Sequence, residues 1–63
     1  MSMKIWENKI AKVVLHRLNF KGENYVYTGK VISAGEDSIC LLDKLNKLQY
    51  FESDEIKSMQ EVS

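Results

Sequence analysis

The run Tyr25–Ala34, YVYTGKVISA, constrains this chain more than any other stretch. It is rich in Tyr, Val, Thr and Ile, the residues that suit a pleated, half-buried surface. A glycine interrupts it at position 29. In a strand such a glycine marks a sharp bend, a bulge or the close approach of another backbone. The next residues, GED at 35–37, close a hairpin, and SICLLD at 38–43 reads as the partner strand. Ile39 and Leu41 then share one face, with Cys40 and Leu42 on the other.

The remaining chain divides in the same manner. Met3, Trp6 and Ile10 fall at helical spacing behind Ser2, a suitable N-cap, so residues 3–10 are expected as a short helix. The helical spacing also extends through Val13, Val14 and Leu18, but the β-branched pair, with apolar residues on both faces, favours a strand over 11–19. FKGEN at 20–24 is a turn, with Gly22 and Asn24 as its permissive residues. KLN at 44–46 is another turn and KLQYFE at 47–52 a fourth strand. SDE at 53–55 is one tight helical turn, and IKSMQEV at 56–62 a short fifth strand. Several short strands separated by polar turns argue for a small antiparallel barrel. The expected fold is mainly β: one domain over 1–63, a five-stranded, strongly bent SH3-like or Sm-like barrel with a short N-terminal helix.

Size and composition narrow the function classes. A chain of 63 residues buries only about 60% of the surface that it would expose unfolded. It has one cysteine, Cys40, hence no internal disulfide, and Cys40 with the single histidine, His16, is too few ligands for a structural zinc. Self-association is the remaining common support, so a homo-oligomer is expected. Nine basic and nine acidic residues leave no surplus of positive charge for phosphates. No apolar run approaches a membrane span and the N-terminus has no signal-peptide core, so a cytoplasmic location and no membrane partner are expected.

The order of a short helix and five bent strands resembles the Sm-like family of small β-barrels, including its Hfq-like branch. The resemblance rests on Gly29, Val31 and Ile32 in the bent strand, Ile39, Leu41 and Leu42 in the next, and Ile56 opening the last. It implies a ring in which the fourth strand of one subunit pairs with the fifth of the next. It transfers little of the family's RNA-reading chemistry. Glu36 and Cys40 stand where the family places an Asp and an Asn, and Cys40 cannot hydrogen-bond a base as Asn does. Ala34 and Asp37 stand where the Hfq-like branch stacks aromatics. FESDE at 51–55 replaces a Tyr-Lys-His run, and Lys57-Ser58 replaces an Arg-Gly pair.

The expected function is therefore a non-catalytic binding module acting through protein contacts, of a size that suits a small regulator or inhibitor such as phages and other mobile elements encode. Candidate partner-binding residues are Trp6, Tyr25, Tyr27, Tyr50 and Phe51, with the acidic set Glu52, Asp54 and Glu55. Glu36 and Asp37 extend the acidic surface if the turns converge. Two alternatives remain. One is an Sm-like RNA-binding ring using aromatics with Lys21, Lys30, Lys44 and Lys47; the other is an oligomer sequestering a nucleotide or metabolite. No cofactor or metal is expected. His16 lacks a pocket to make it catalytic. Cys40 has no flanking base to activate its thiol and reads as a core or interface residue.

Overall fold

A computed structural model describes residues 2–62, so the two end residues of the expected 1–63 domain lie outside the described residues. The chain forms five antiparallel strands: β1 Ile10–Leu18, β2 Asn24–Ala34, β3 Ser38–Asp43, β4 Leu48–Glu52 and β5 Ile56–Glu61. They make one sheet in the order β4-β3-β2-β1-β5. The expected mainly β, five-stranded antiparallel architecture is therefore present. Closure is not: among the described residues β4 and β5 do not pair, and the sheet keeps two free edges.

Alternation builds the core. Ala11, Val13 and Leu15 of β1, Val31 of β2, Ile39 and Leu41 of β3 and Phe51 of β4 are all buried. They occupy every second position of their strands, which sends them to one face. Tyr27, Ile56 and Met59 pack against this cluster from the same side. The register keeps the rows aligned, with Val13 opposite Tyr27 and Met59, and Ile39 opposite Phe51 and Ala34.

Two departures from regular pairing curve the sheet. β1 shifts register after Val14 against both neighbours, and β2 shifts between Val31 and Ser33. Extra residues of this kind bend a strand and raise its twist. At Gly29, β2 comes so close to β3 that a Cβ would overlap the Leu42 carbonyl oxygen and lie 2.9 Å from the Asp43 Cα.

The expected helix over residues 3–10 is a single 3₁₀ turn, Met3–Trp6, with strand β1 beginning at Ile10. Ser2 does cap it, its Oγ accepting from the Lys4 N–H at 3.1 Å. The turn stops because Glu7 is extended and Asn8 takes a left-handed φ of 67°. The freed backbone is captured by β2: Asn8 N–H donates to the Val31 carbonyl at 2.7 Å and Val31 N–H to the Lys9 carbonyl at 2.8 Å. Pairing with a strand outweighs a helical propensity that is weak over so few residues.

Gly29→Ala is expected to destabilise the fold by about 1–3 kcal/mol or more, because the clash is with backbone that cannot rotate away. Gly35→Ala, whose nearest new neighbour is the Ser38 Oγ at 3.5 Å, is expected to stay within about 0.5 kcal/mol of the parent. Urea unfolding followed by far-ultraviolet circular dichroism measures both.

Candidate partner-binding surfaces

The aromatic candidates part company in the fold. Phe51 is a core residue, only 4% exposed, and this removes it from the surface set. Strand pairing decides it: Phe51 lies opposite Ile39 on the inner face, which turns its neighbour Tyr50 outward. Tyr27 is half-buried, its ring 5.1 Å from that of Phe51 and tilted by 50°. Trp6 is also half-buried and packs with Met3 against the core. It is held there because the Met3 N–H donates to the Glu36 carbonyl at 3.1 Å. Tyr25 is exposed beneath the Arg17 guanidinium, 5.8 Å from its ring centre. Tyr50 is 66% exposed. It shares the outer face with the half-buried Cys40, its register partner, and with Leu42 and Leu48, which pair beside them. These residues form no common stacking platform.

The acidic turns do converge. The Ser53 N–H donates to the Asp37 carbonyl at 2.7 Å and Ser38 pairs with Glu52, so the β2–β3 turn meets the 3₁₀ turn Ser53–Glu55. Part of this charge is already engaged. Glu36 lies 3.7 Å from the Lys4 Nζ, and Glu55 lies 3.4 Å from Arg17 while also accepting from the Glu52 N–H at 3.0 Å. Asp37, Glu52 and Asp54 are left outside any ion pair among the described residues.

The lysines fall in three places. Lys21 sits on the β1–β2 turn with its ammonium 5.9 Å from the centre of the Phe20 ring. Lys30 is on the outer face of β2, and Lys44 and Lys47 are on the β3–β4 turn. His16 is exposed and lines a shallow cleft of about 210 Å³ with Leu15, Arg17 and Glu55. Among the described residues no three His, Cys, Asp or Glu side chains gather to hold a metal ion. No described helix is long and apolar enough to cross a membrane.

A second cleft, about 340 Å³, lies between β2 and the β3–β4 turn, lined by Val26, Tyr27, Thr28, Asp43, Lys44 and Leu45. Its wall is set by Asp43. Oδ1 accepts from the N–H groups of Leu45 at 2.9 Å and Lys47 at 3.0 Å, and Oδ2 from the Gln49 amide at 3.2 Å. This side-chain turn lets Asn46 take a left-handed φ of 60°. It also presents Leu45, 76% exposed, towards solvent. Sequence reasoning passed over Val26, Asp43 and Leu45. An Asp opening a short polar turn was the available signal for Asp43; nothing local marks the other two.

Comparison with known protein families, with characterised proteins and with solved structures finds no match to this chain.

The Lys47 amide is the main influence holding the Asp43 carboxyl below the usual range; partial burial opposes it, and Gln49 and Leu45 add to the lowering. A carboxyl lowered in the folded state binds its proton more readily once unfolded. Its stabilising contribution is therefore full above the unfolded pKa, about 3.9, and is lost as pH falls through the folded value. Carbon-detected NMR is expected to give Asp43 a midpoint below that reference. Asp43→Asn is expected to flatten the acid limb of the stability curve; an Asp43 midpoint at or above the reference would refute the assignment.

Proposed function

We propose that this chain is a non-catalytic, homo-oligomeric binding module whose subunits join by pairing the β4 edge of one copy with the β5 edge of the next. The observation that carries the reading is the open sheet, with β4 and β5 at its two ends. The two edges are of similar length, five and six residues. An unpaired edge is a template for another strand, and natural sheets blunt it with lysine, proline or a bulge. β4 has none of these. Leu48, Gln49, Tyr50 and Phe51 precede its only charged residue, Glu52, and its pairing with β3 has no register shift.

The hydrogen-bond direction supports the same reading. The Asp43 N–H donates to the Lys47 carbonyl at 2.9 Å, which makes 43 and 47 a bonded pair. Direction alternates along an antiparallel ladder. Gln49 and Phe51 thus bond to β3, while Leu48 and Tyr50 turn their N–H and C=O groups to the free edge. Head-to-tail joining of two different edges closes into a ring when the rotation allows. This agrees with the assembly that the resemblance to Sm-like barrels implies. It adds buried surface to a chain whose core holds only small and medium aliphatic residues and one Phe.

Size-exclusion chromatography with light scattering at micromolar concentration is expected to give a single closed oligomer. Tyr50→Pro removes a donor from the free edge without touching the β3 ladder, and is expected to give a folded monomer. A parent protein that is monomeric in this range refutes the proposal.

A further inference from the structure

The N-terminal half of β2 has a strand on one side only. β1 follows β2 as far as Asn24, whereas β3 pairs with it only from Gly29 to Ala34. Two sets of hydrogen bonds fix the direction of the peptide groups. Val31 exchanges bonds with Asn8 and Lys9, on the β1 side of β2. The Ile10 carbonyl accepts from the Val62 N–H at 2.8 Å, on the opposite side of β1, so Ala11 and Val13 are the residues that bond to β2. Both place Tyr27 and Gly29 facing β1 and direct the N–H and C=O groups of Val26 and Thr28 the other way. Among the described residues no strand meets them there. The chain turns off after the Gly29–Asp43 pair, and what lies beside Val26 and Thr28 is the 340 Å³ cleft.

This cleft is bordered by a third open edge, recessed within one subunit. Val26, 49% exposed, and Leu45 give it apolar sides. Its charge is one-sided. Lys44 lines it, Lys12 is the register partner of Thr28, and Lys30 follows on the same face of β2. None of these three lysines is in an ion pair among the described residues. The one acid in the lining, Asp43, already accepts from three donors of its own turn.

We propose that the cleft takes an extended acidic peptide by strand addition to β2, an inference that rests on reading the chain as a protein-binding module and names the partner. The peptide backbone bonds to Val26 and Thr28. An apolar side chain sits between Val26 and Leu45, and carboxylates meet Lys12 and Lys44. Main-chain bonds supply affinity in this mode and alternate side chains supply specificity. The complementary charge selects an acidic segment over a basic one.

Fluorescence anisotropy with a labelled octapeptide Ser-Val-Ser-Glu-Ser-Val-Ser-Glu, which sets Val and Glu in turn along one strand face, tests the proposal on the intact protein. Saturable binding is expected, weakened at least about tenfold by Lys44→Glu or by N-methylation of alternate peptide amides. The N-methylated peptide needs no variant, so the backbone contribution is read even if a substitution impairs folding. Amide shifts on titration are expected at Val26, Thr28 and Leu45. Equal binding of the N-methylated peptide, equal binding of a Lys-for-Glu peptide, tighter binding of a labelled single-stranded RNA octamer, or no saturable binding overturns it. Tyr50→Pro is expected to retain the peptide site, so a failed ring and a failed cleft give different results.

Discussion

The contact between Gly29 and the Leu42 carbonyl governs the shape of this molecule. Only a residue without a Cβ lets β2 and β3 approach so closely. The approach falls where β3 ends its pairing with β2, at the Gly29–Asp43 pair. One strand of eleven residues thereby serves two halves of the sheet, pairing with β1 from Asn24 to Lys30 and with β3 from Gly29 to Ala34. The inner rows of β1, β2 and β3 can then face a common centre, and Phe51 and Met59 complete it from the outer strands. The same departure leaves Val26 and Thr28 without a second neighbour. Core and cleft are two consequences of one close approach.

Such a core is small. Its buried members are aliphatic side chains and one Phe, with no buried polar or charged residue among the described residues to specify it further. Many large apolar side chains remain outside, among them Leu48, Tyr50, Leu45 and Ile10. Scattered exposed apolar residues are ordinary on a protein surface. Here several share the outer face: Leu48 pairs with Leu42, Leu42 with Lys30, and Lys30 with Ile10. That row ends at Leu48 on the free β4 edge. Edge pairing would shield part of it and supply what so small a core cannot.

What was legible in the sequence was whatever depends on local alternation. Val13 and Leu15, Ile39 and Leu41, and the meaning of Gly29 all follow from a period of two and the sterics of one residue. Local spacing does not reveal the short N-terminal turn, because Met3, Trp6 and Ile10 fit a helix locally while Asn8 and Lys9 are claimed by Val31, distant in sequence. Tyr50 and Phe51 could not be sorted either. Alternation says that they face opposite ways, but only the pairing of Phe51 with Ile39 says which faces in. The sequence marks Lys44 as a residue and not as part of a site, and does not mark Lys12, since pairing and a turn bring the two beside Thr28.

A net charge of zero says little about a surface this polarised. The acids gather where the β2–β3 turn meets the Ser53–Glu55 turn, a juncture held by the Ser53–Asp37 hydrogen bond. Lys12 and Lys30 instead lie on the outer side of β1 and β2, and Lys44 and Lys47 on the β3–β4 turn, none of them in an ion pair among the described residues. Fields fall off within about 8 Å in physiological salt, so a ligand at the cleft senses Lys12, Lys30 and Lys44 more than the chain's total. Neutral composition argues against binding a long polyanion, which would have to cross both regions. It does not argue against a short acidic segment laid along one edge, where the nearest carboxylate, Asp43, is occupied by the amides of its own turn.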